Sequence, residues 1–371
     1  MSLNQCPLGA RHSEFEKFGA ASREAALISD NLYRRREALQ LGGLGAAGLL
    51  TVTFRDAWGK TKQGVKVNIV NTSPNSAFTI QELIKQKHWL EDYGLEPMTQ
   101  NVSDGSKLMG ALLSGESDIC LLSGFGQVPV AIEKGAAVKV VAGAALLTDM
   151  AIFAKKPEIK TVKDLEGRTI GTGSVGALLY QLMAAILQKK GVDIKKVTFV
   201  NVGSSADVFR AVVAGTVDAG PSLYDVYEQQ ARYGVHSLSD GDLWSELPEY
   251  TYQGSYASDR AIAQKRDALV RVLAAYCKAY RYIEGPNSLA DYVKAREAAL
   301  HGKPKLAKEE ASSEWRFNQK FKPYATNLVL SPKRIEYMQR LNVGFGIQKH
   351  VLPYDKVTDM SLARDAVKLL G

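Results

Sequence analysis

From residue 65 onward, short runs of consecutive apolar residues alternate with longer stretches whose apolar positions recur at helical spacing. VKVNIV predicts a buried strand, and SAFTIQELIKQKHWLEDYG predicts a helix closed by Gly94. PMTQNV, SDICLLS and VKVVAGAALL (residues 138–147) predict further strands, separated by the helices SKLMGALLSG and QVPVAIEKG. A second series opens at MAIFAKKP (residues 150–157) and repeats the plan through RTIGTG, a helix from Ala177, VTFVNV, a helix around 206–214, and VDAGPSL. YTYQGSYASD (residues 250–259) has strand character and is expected to lead back to the first series. The remainder is expected to be mostly helical, with Ser331 capping and Pro332 opening the helix SPKRIEYMQRL. Strands alternating with helices of this length imply mostly parallel sheets covered by helices on both faces.

The two series echo each other at a constant offset. ALLSGESDICLLS (residues 111–123) returns as AVVAGTVDAGPSL (residues 211–223), so Ala111, Gly115 and Asp118 recur as Ala211, Gly215 and Asp218. Upstream, Asn101 and Val102 face Asn201 and Val202, while Thr72, Ala77 and Gln81 face Thr172, Ala177 and Gln181. Two lobes of similar topology are the expectation, with corresponding loops facing one another. Ligands on such sheets sit beyond the carboxyl ends of the strands.

Residues 1–60 do not follow this pattern. Arg34, Arg35 and Arg36 precede ALQLGGLGAAGLLTVTF, a basic region followed by a mild, glycine-rich apolar stretch. RRREALQL resembles a twin-arginine export signal, with Arg35 and Arg36 as the pair and Leu39 at the leucine; Ala38 and Gln40 depart from the pattern. An uncleaved N-terminal anchor and a basic amphipathic helix are the alternatives. The chain of 371 residues is 46% hydrophobic and 23% charged, enough for two lobes with their own cores. Of its net charge of +8, residues 1–60 supply +2 and the rest is scattered, which argues against a nucleic-acid surface. Cys6, Cys120 and Cys277 are too few and too irregular for a disulfide framework or zinc site, and the five histidines show no ligand spacing. No metal and no cofactor are expected.

Chemistry is therefore sought in the loops. Gly171-x-Gly173-x-x-Gly176 has the spacing of a dinucleotide fingerprint, but the following strand ends at Asn201 and Val202 without the acid that holds a ribose. What remains is a turn whose NH groups, with Thr172 and Ser174, suit an anion or polar group at a helix N-terminus. Gly173, Ser174, Val175 and Gly176 are thus candidate ligand-binding residues. The matching first-series loop offers Ser73, Asn75 and Ser76, and SGFGQVP offers Ser123, Gly124 and Phe125. VGSSAD contributes Ser204 and Ser205, GPSLYD contributes Pro221 and Ser222, and Tyr256 is a candidate wall with Tyr180 and Tyr224. Helix capping is the competing role for each serine, so the expectation rests on their convergence. No arginine or lysine falls within these loops, and no G-x-S-x-G, P-loop or H-E-x-x-H occurs. Asp118 and Asp218 precede their strands, at the end away from the expected ligand edge, which favours structural hydrogen bonding over catalysis.

Several stretches carry a family likeness: ALLSGESDI, IEKGAAVKVVAG, VKDLEGRTIGTGSVG and VFRAVVAGTVDAG, together with the export-like signal. Residues 65–260 resemble the nitrate/sulfonate/taurine-type solute-binding proteins of ABC importers, which share a fold with thiamine-precursor-type proteins. The resemblance implies a two-lobed type II periplasmic-binding-protein-like α/β fold, with residues 1–60 as leader, 61–147 plus 257–371 as lobe 1 and 148–256 as lobe 2. It also implies a monomeric, non-enzymatic periplasmic receptor that closes on a small organic anion and delivers it to an inner-membrane ABC permease. A thiamine-pyrimidine-synthase-like enzyme on the same fold and a periplasmic ligand sensor are the alternatives; the cysteine-rich motif and histidine of the former are missing here.

Overall fold

The computed structural model describes residues 64–72, 75–102, 105–300 and 304–371. The leader, with its twin-arginine-like pair, lies outside the described residues, as does Ser73. Two five-stranded sheets carry the fold. The first holds β1 (Val65–Thr72), β2 (Leu95–Val102), β3 (Ile119–Ser123) and β4 (Val138–Gly143). The second holds β5 (Met150–Ala154), β6 (Thr169–Thr172), β7 (Thr198–Asn201), β8 (Ala219–Leu223) and β9 (His236–Asp242). β10 (Gly254–Ser258) returns to the first sheet, giving the orders β2-β1-β3-β10-β4 and β7-β6-β8-β5-β9.

The two orders are the same arrangement. β1, β2 and β3 run parallel, as do β6, β7 and β8. One antiparallel strand is wedged next to the edge of each sheet: β10 in the first, β5 in the second. These two strands belong to the segments that cross between sheets, and each enters its sheet against the common direction. β4 ends at Gly143, earlier than the apolar run to 147 suggests. Residues 144–146 leave the sheet to pair with Gln253 (Ala144 N–H to Gln253 O, 3.0 Å; Gln253 N–H to Ala145 O, 2.8 Å) and with the tail (Ala325 N–H to Ala144 O, 2.8 Å).

The repeated Gly-x-x-Asp has a repeated physical role. Gly115 and Gly215 end their helices at positive φ, 84° and 76°, where a side chain would be strained. Asp118 then accepts a hydrogen bond from Asn68 N–H at 2.8 Å, and Asp218 accepts one from Thr169 N–H at 2.8 Å. A lysine from outside the motif completes each: Lys265 at 2.8 Å on Asp118 and Lys156 at 2.6 Å on Asp218. Each aspartate thus ties the start of one strand to its parallel neighbour.

Helices cover the sheets. In the first lobe these include α1 (Asn75–Gln86), α2 (Trp89–Asp92), α3 (Gly105–Ser114) and α4 (Gln127–Glu133). In the second they include α5 (Leu178–Lys189), α6 (Ser205–Ala214), α7 (Tyr224–Tyr227) and α8 (Leu243–Glu246). The tail supplies α9 (Asp259–Ile283), α10 (Leu289–Ala299), α11 (Pro304–Phe321), α12 (Pro332–Gly344), α13 (Tyr354–Val357) and α14 (Ser361–Lys368). Ser331 accepts from Arg334 N–H, and Pro332 occupies the first turn of α12, as its sequence implies. The tail does not stay with the first sheet. α10 packs on α1, whereas Phe317 and Phe321 of α11 join Tyr224, Tyr227 and Trp244 in an aromatic cluster of the second lobe. Among the described residues no helix is long and apolar enough to cross a membrane.

Candidate functional site

A cavity of about 620 Å³ lies where the carboxyl ends of strands from both sheets meet. Thr72, Gly124 and Gly126 end or follow the first-lobe strands, and Gly173, Gly203 and Leu223 follow or end the second-lobe strands. The N-terminal ends of α1, α3, α5 and α6 reach its wall through Ser76, Gly105, Ala177 and Ser205. Their first-turn NH groups lack intrahelical partners and carry the positive end of each helix dipole. The lobes touch at Gly126, where an added Cβ would come within 2.4 Å of Gln181 Oε1 and would displace the end of that side chain. Asn342 of α12 locks this contact, donating to the Gly126 carbonyl at 2.6 Å and accepting from Gln181 Nε2 at 3.3 Å.

The first crossing segment, α7 and the tail give the cavity its charge. Asp149 and Asp225, with Glu310 and Glu314 of α11, bring four carboxylates, and Arg296 of α10 brings one guanidinium. Arg296 is only 2% exposed and donates to Glu314, to Glu310 at 3.2 Å and to Thr79. Burial works against its charge, but Glu314, Tyr292 and Glu310 hold its pKa above the usual value. Asp149 differs. Part of the residue faces the cavity, yet its Oδ1 is sealed from solvent and has no hydrogen-bond partner. Burial, then the charges of Glu314 and Asp225, push its carboxyl up to about 7. Asp225 accepts from Val226 N–H at 2.8 Å and is raised to about 6, by burial first and then by Glu310 and Glu314. No ion pair among the described residues involves Asp149 or Asp225. Tyr224, Tyr250 and Tyr252 provide aromatic wall.

Of the residues singled out in the sequence, Ser76, Gly124, Gly173, Ser204 and Ser205 line this cavity. Ser204 is also the N-cap of α6, in a capping box with Asp207. The structure places others one layer back. Ser123 Oγ accepts from Thr72 N–H at 2.9 Å, and Ser222 Oγ donates to the Ser205 carbonyl at 3.3 Å. Pro221 is buried in β8. Phe125 and Tyr256 are fully buried in the first-lobe core instead of forming a wall. Asn75 begins α1. The Gly173–Gly176 turn splits: Gly173 faces the cavity, Ser174 Oγ accepts from Asn201 Nδ2 at 3.2 Å, Val175 is 75% exposed, and Gly176 takes a positive φ of 82°.

Sequence reading missed Asp149, Asp225, Arg296, Glu310 and Glu314. Asp149 left a faint signal, an acid between the apolar runs AGAALL and MAIFA. Asp225 stands in GPSLYD, three residues past the flagged Ser222. The three tail residues leave none, because their place depends on where α10 and α11 pack.

The family model described as NMT1/THI5 like matches residues 75–287. A search of curated protein sequences returns no match. Among solved structures, the chain is similar to the alkanesulfonate-binding protein SsuA from Xanthomonas axonopodis pv. citri bound to MOPS. That match has TM-score 0.60 and 19% identity, covering 81% of this chain and 98% of that one. The periplasmic nitrate-binding protein NrtA from Synechocystis PCC 6803 is similar at TM-score 0.65 and 12% identity, with 83% of this chain and 89% of that one covered. The desulfurization enzyme DSZB is also similar, at TM-score 0.55 and 13% identity over 82% of this chain and 100% of that one. At these identities the structures share a fold with this chain; the family model, which spans more than half of the sequence, shows that the chain belongs to the NMT1/THI5-like family.

Proposed function

We propose that this protein is the solute-binding component of an ABC importer, capturing a small molecule in the cavity between its lobes without turning it over. The observation that carries this reading is the cavity itself, built from equivalent strand ends and helix N-termini of two lobes with the same strand order. Ligand burial between such lobes favours a closed arrangement and offers a permease a changed surface. The names of the similar sulfonate- and nitrate-binding proteins agree with this role. The organic anion expected from the sequence would place its acidic group at the helix N-termini near Ser76, Gly173 and Ser205. No histidine or cysteine stands among the described residues that line the cavity. Residues 1–60 would direct export to the periplasm, and a monomer suffices because one chain supplies both lobes.

A thermal-shift screen against organic acids, sulfonates and vitamin precursors tests the role, since a ligand bound only to the folded state raises its melting point. At least one compound should do so and be recovered unaltered after incubation with stoichiometric protein. Recovery of a chemically changed compound would move the protein to the enzyme class represented by the desulfurization enzyme.

A further inference from the structure

We propose that the ligand of this cavity carries a positively charged nitrogen, as in a protonated amine, amidinium or guanidinium, seated against Asp149 and Asp225. This rests on the solute-binding role proposed above and names the chemical class that the role serves.

The charge around the cavity is unbalanced, and the imbalance is local. Arg296 donates to Thr79, Glu310 and Glu314, so its hydrogen bonds go to the two glutamates and not to the two aspartates. Asp149 Oδ1 is a buried acceptor without a donor, on a residue that forms part of the cavity wall. A buried polar atom left unpaired is costly and rare in native structures. The charged and titratable side chains that act most strongly on Asp149 are Glu314 on α11, Asp225 on α7 and Arg296 on α10, with the buried Tyr252 and Tyr324 also within its electrostatic reach. Among the described residues that line this end of the cavity, four carboxylates thus face one guanidinium, which is hydrogen-bonded to the two glutamates. A ligand bearing only negative charge would face repulsion here, whereas a cationic nitrogen at the accessible face of Asp149 and Asp225 supplies the missing charge.

The raised carboxyls give the interaction a direction with pH. Asp149, raised to about 7, and Asp225, raised to about 6, are largely protonated at pH 5 and ionised at pH 8. A cationic ligand should therefore bind more tightly as pH rises across that interval, by about tenfold or more, and should release protons on binding. An anion would show the opposite slope.

The test uses the full-length chain and probe pairs that differ by a positive nitrogen: taurine with ethanesulfonate, 4-aminobutyrate with butyrate, and benzamidine with benzamide. Melting temperature at pH 8 should rise with the nitrogen-bearing member of at least one pair and not with its partner. Calorimetry on that compound should show a loss of about tenfold to a hundredfold in Asp149→Asn, the cost of one charge-assisted hydrogen bond. Circular dichroism of the variant should be unchanged, and Asp225→Asn should weaken binding in the same direction. Equal binding of both members of a pair, or affinity that falls from pH 5 to pH 8, would overturn the cation while leaving the solute-binding role standing. A flat response to all six compounds at 10 mM would overturn the cation, whereas a compound outside these pairs that binds in the earlier screen keeps the broader role.

Discussion

Replacing Asp149 by asparagine removes a charge that the unliganded fold has to bury. The aspartate is raised from 3.8 to about 7 in the folded protein, chiefly by burial and then by Glu314 and Asp225. The sign follows from proton binding. Between these two values the unfolded chain has already lost its proton and the folded chain has not, so stability falls as pH rises from about 4 to 7. Three units correspond to about 4 kcal/mol at the limit, and roughly 2–3 kcal/mol of that develops between pH 5 and pH 8. Asparagine matches the neutral acid in shape and does not titrate. The variant should therefore exceed the parent by roughly 1–2 kcal/mol at pH 5 and by about 4 kcal/mol at pH 8, so the gap widens by roughly 2–3 kcal/mol across the interval. Titration of the other carboxylates is common to both proteins and cancels to first order. Urea unfolding of parent and variant across pH 5–8, followed by far-UV circular dichroism, measures the difference directly. Parallel stability curves would refute the reasoning, because they would mean that Asp149 already ionises freely in the folded state. A widening gap together with weaker binding of a cationic ligand would mark the position as one where the fold gives up stability for recognition.

Three further outcomes are expected. Arg296→Met should destabilise the fold by about 2–3 kcal/mol, because it removes the buried guanidinium that the partly buried Glu314 and Glu310 pair with; differential scanning calorimetry would show it, and an unchanged melting point would remove the ion-pair argument. Asp218 is opposed by burial but held down to about 2 by Lys156 and Thr169, so its contribution is present above pH 4 and fades as pH falls through 2. Asp218→Asn should cost about 2 kcal/mol at pH 7 and progressively less in acid, and a pH-independent cost would contradict that linkage. Replacing Arg35 and Arg36 together by lysine should retain the protein in the cytoplasm in a fractionation assay; normal export would remove the twin-arginine assignment.

The sheet plan was legible because its signals are local. Gly115 and Gly215 take positive φ, Asp118 and Asp218 each accept from an amide of the parallel neighbour strand, and the residues that do both fall inside a four-residue motif that recurs at the same offset. The repeat was less faithful where tertiary context intervenes. Gln81 and Gln181 match in the alignment of the two halves, yet Gln81 pairs with Asn101 on the surface while Gln181 is buried against Asn342 and Gly126. The antiparallel strands β5 and β10 also resist local reading, since their direction is set by the crossing segments and not by their own residues.

Duplication explains the polar half of the cavity, and departure from it explains the charged half. Equivalent βα turns bring helix N-termini of both lobes to one place, so serines and glycines at 76, 124, 173 and 205 converge without any lobe-specific signal. Apart from Asp225, which follows β8 within the repeat, the acids come from elements that have no counterpart in it. Asp149 sits on the first crossing, and Glu310 and Glu314 sit on α11, which crosses from the first lobe to seat Phe317 in the aromatic cluster of the second. Helical spacing in the tail shows that α11 has an apolar face but not which lobe that face will meet. Once Phe317 and Phe321 pack against Trp244, the glutamates on the same helix are carried to the cavity, and Arg296 on α10 is drawn between them. The sign of charge at the site is therefore a consequence of aromatic packing far along the chain. That is why loop chemistry alone pointed to an anion, while the assembled wall presents acceptors that call for a positive nitrogen.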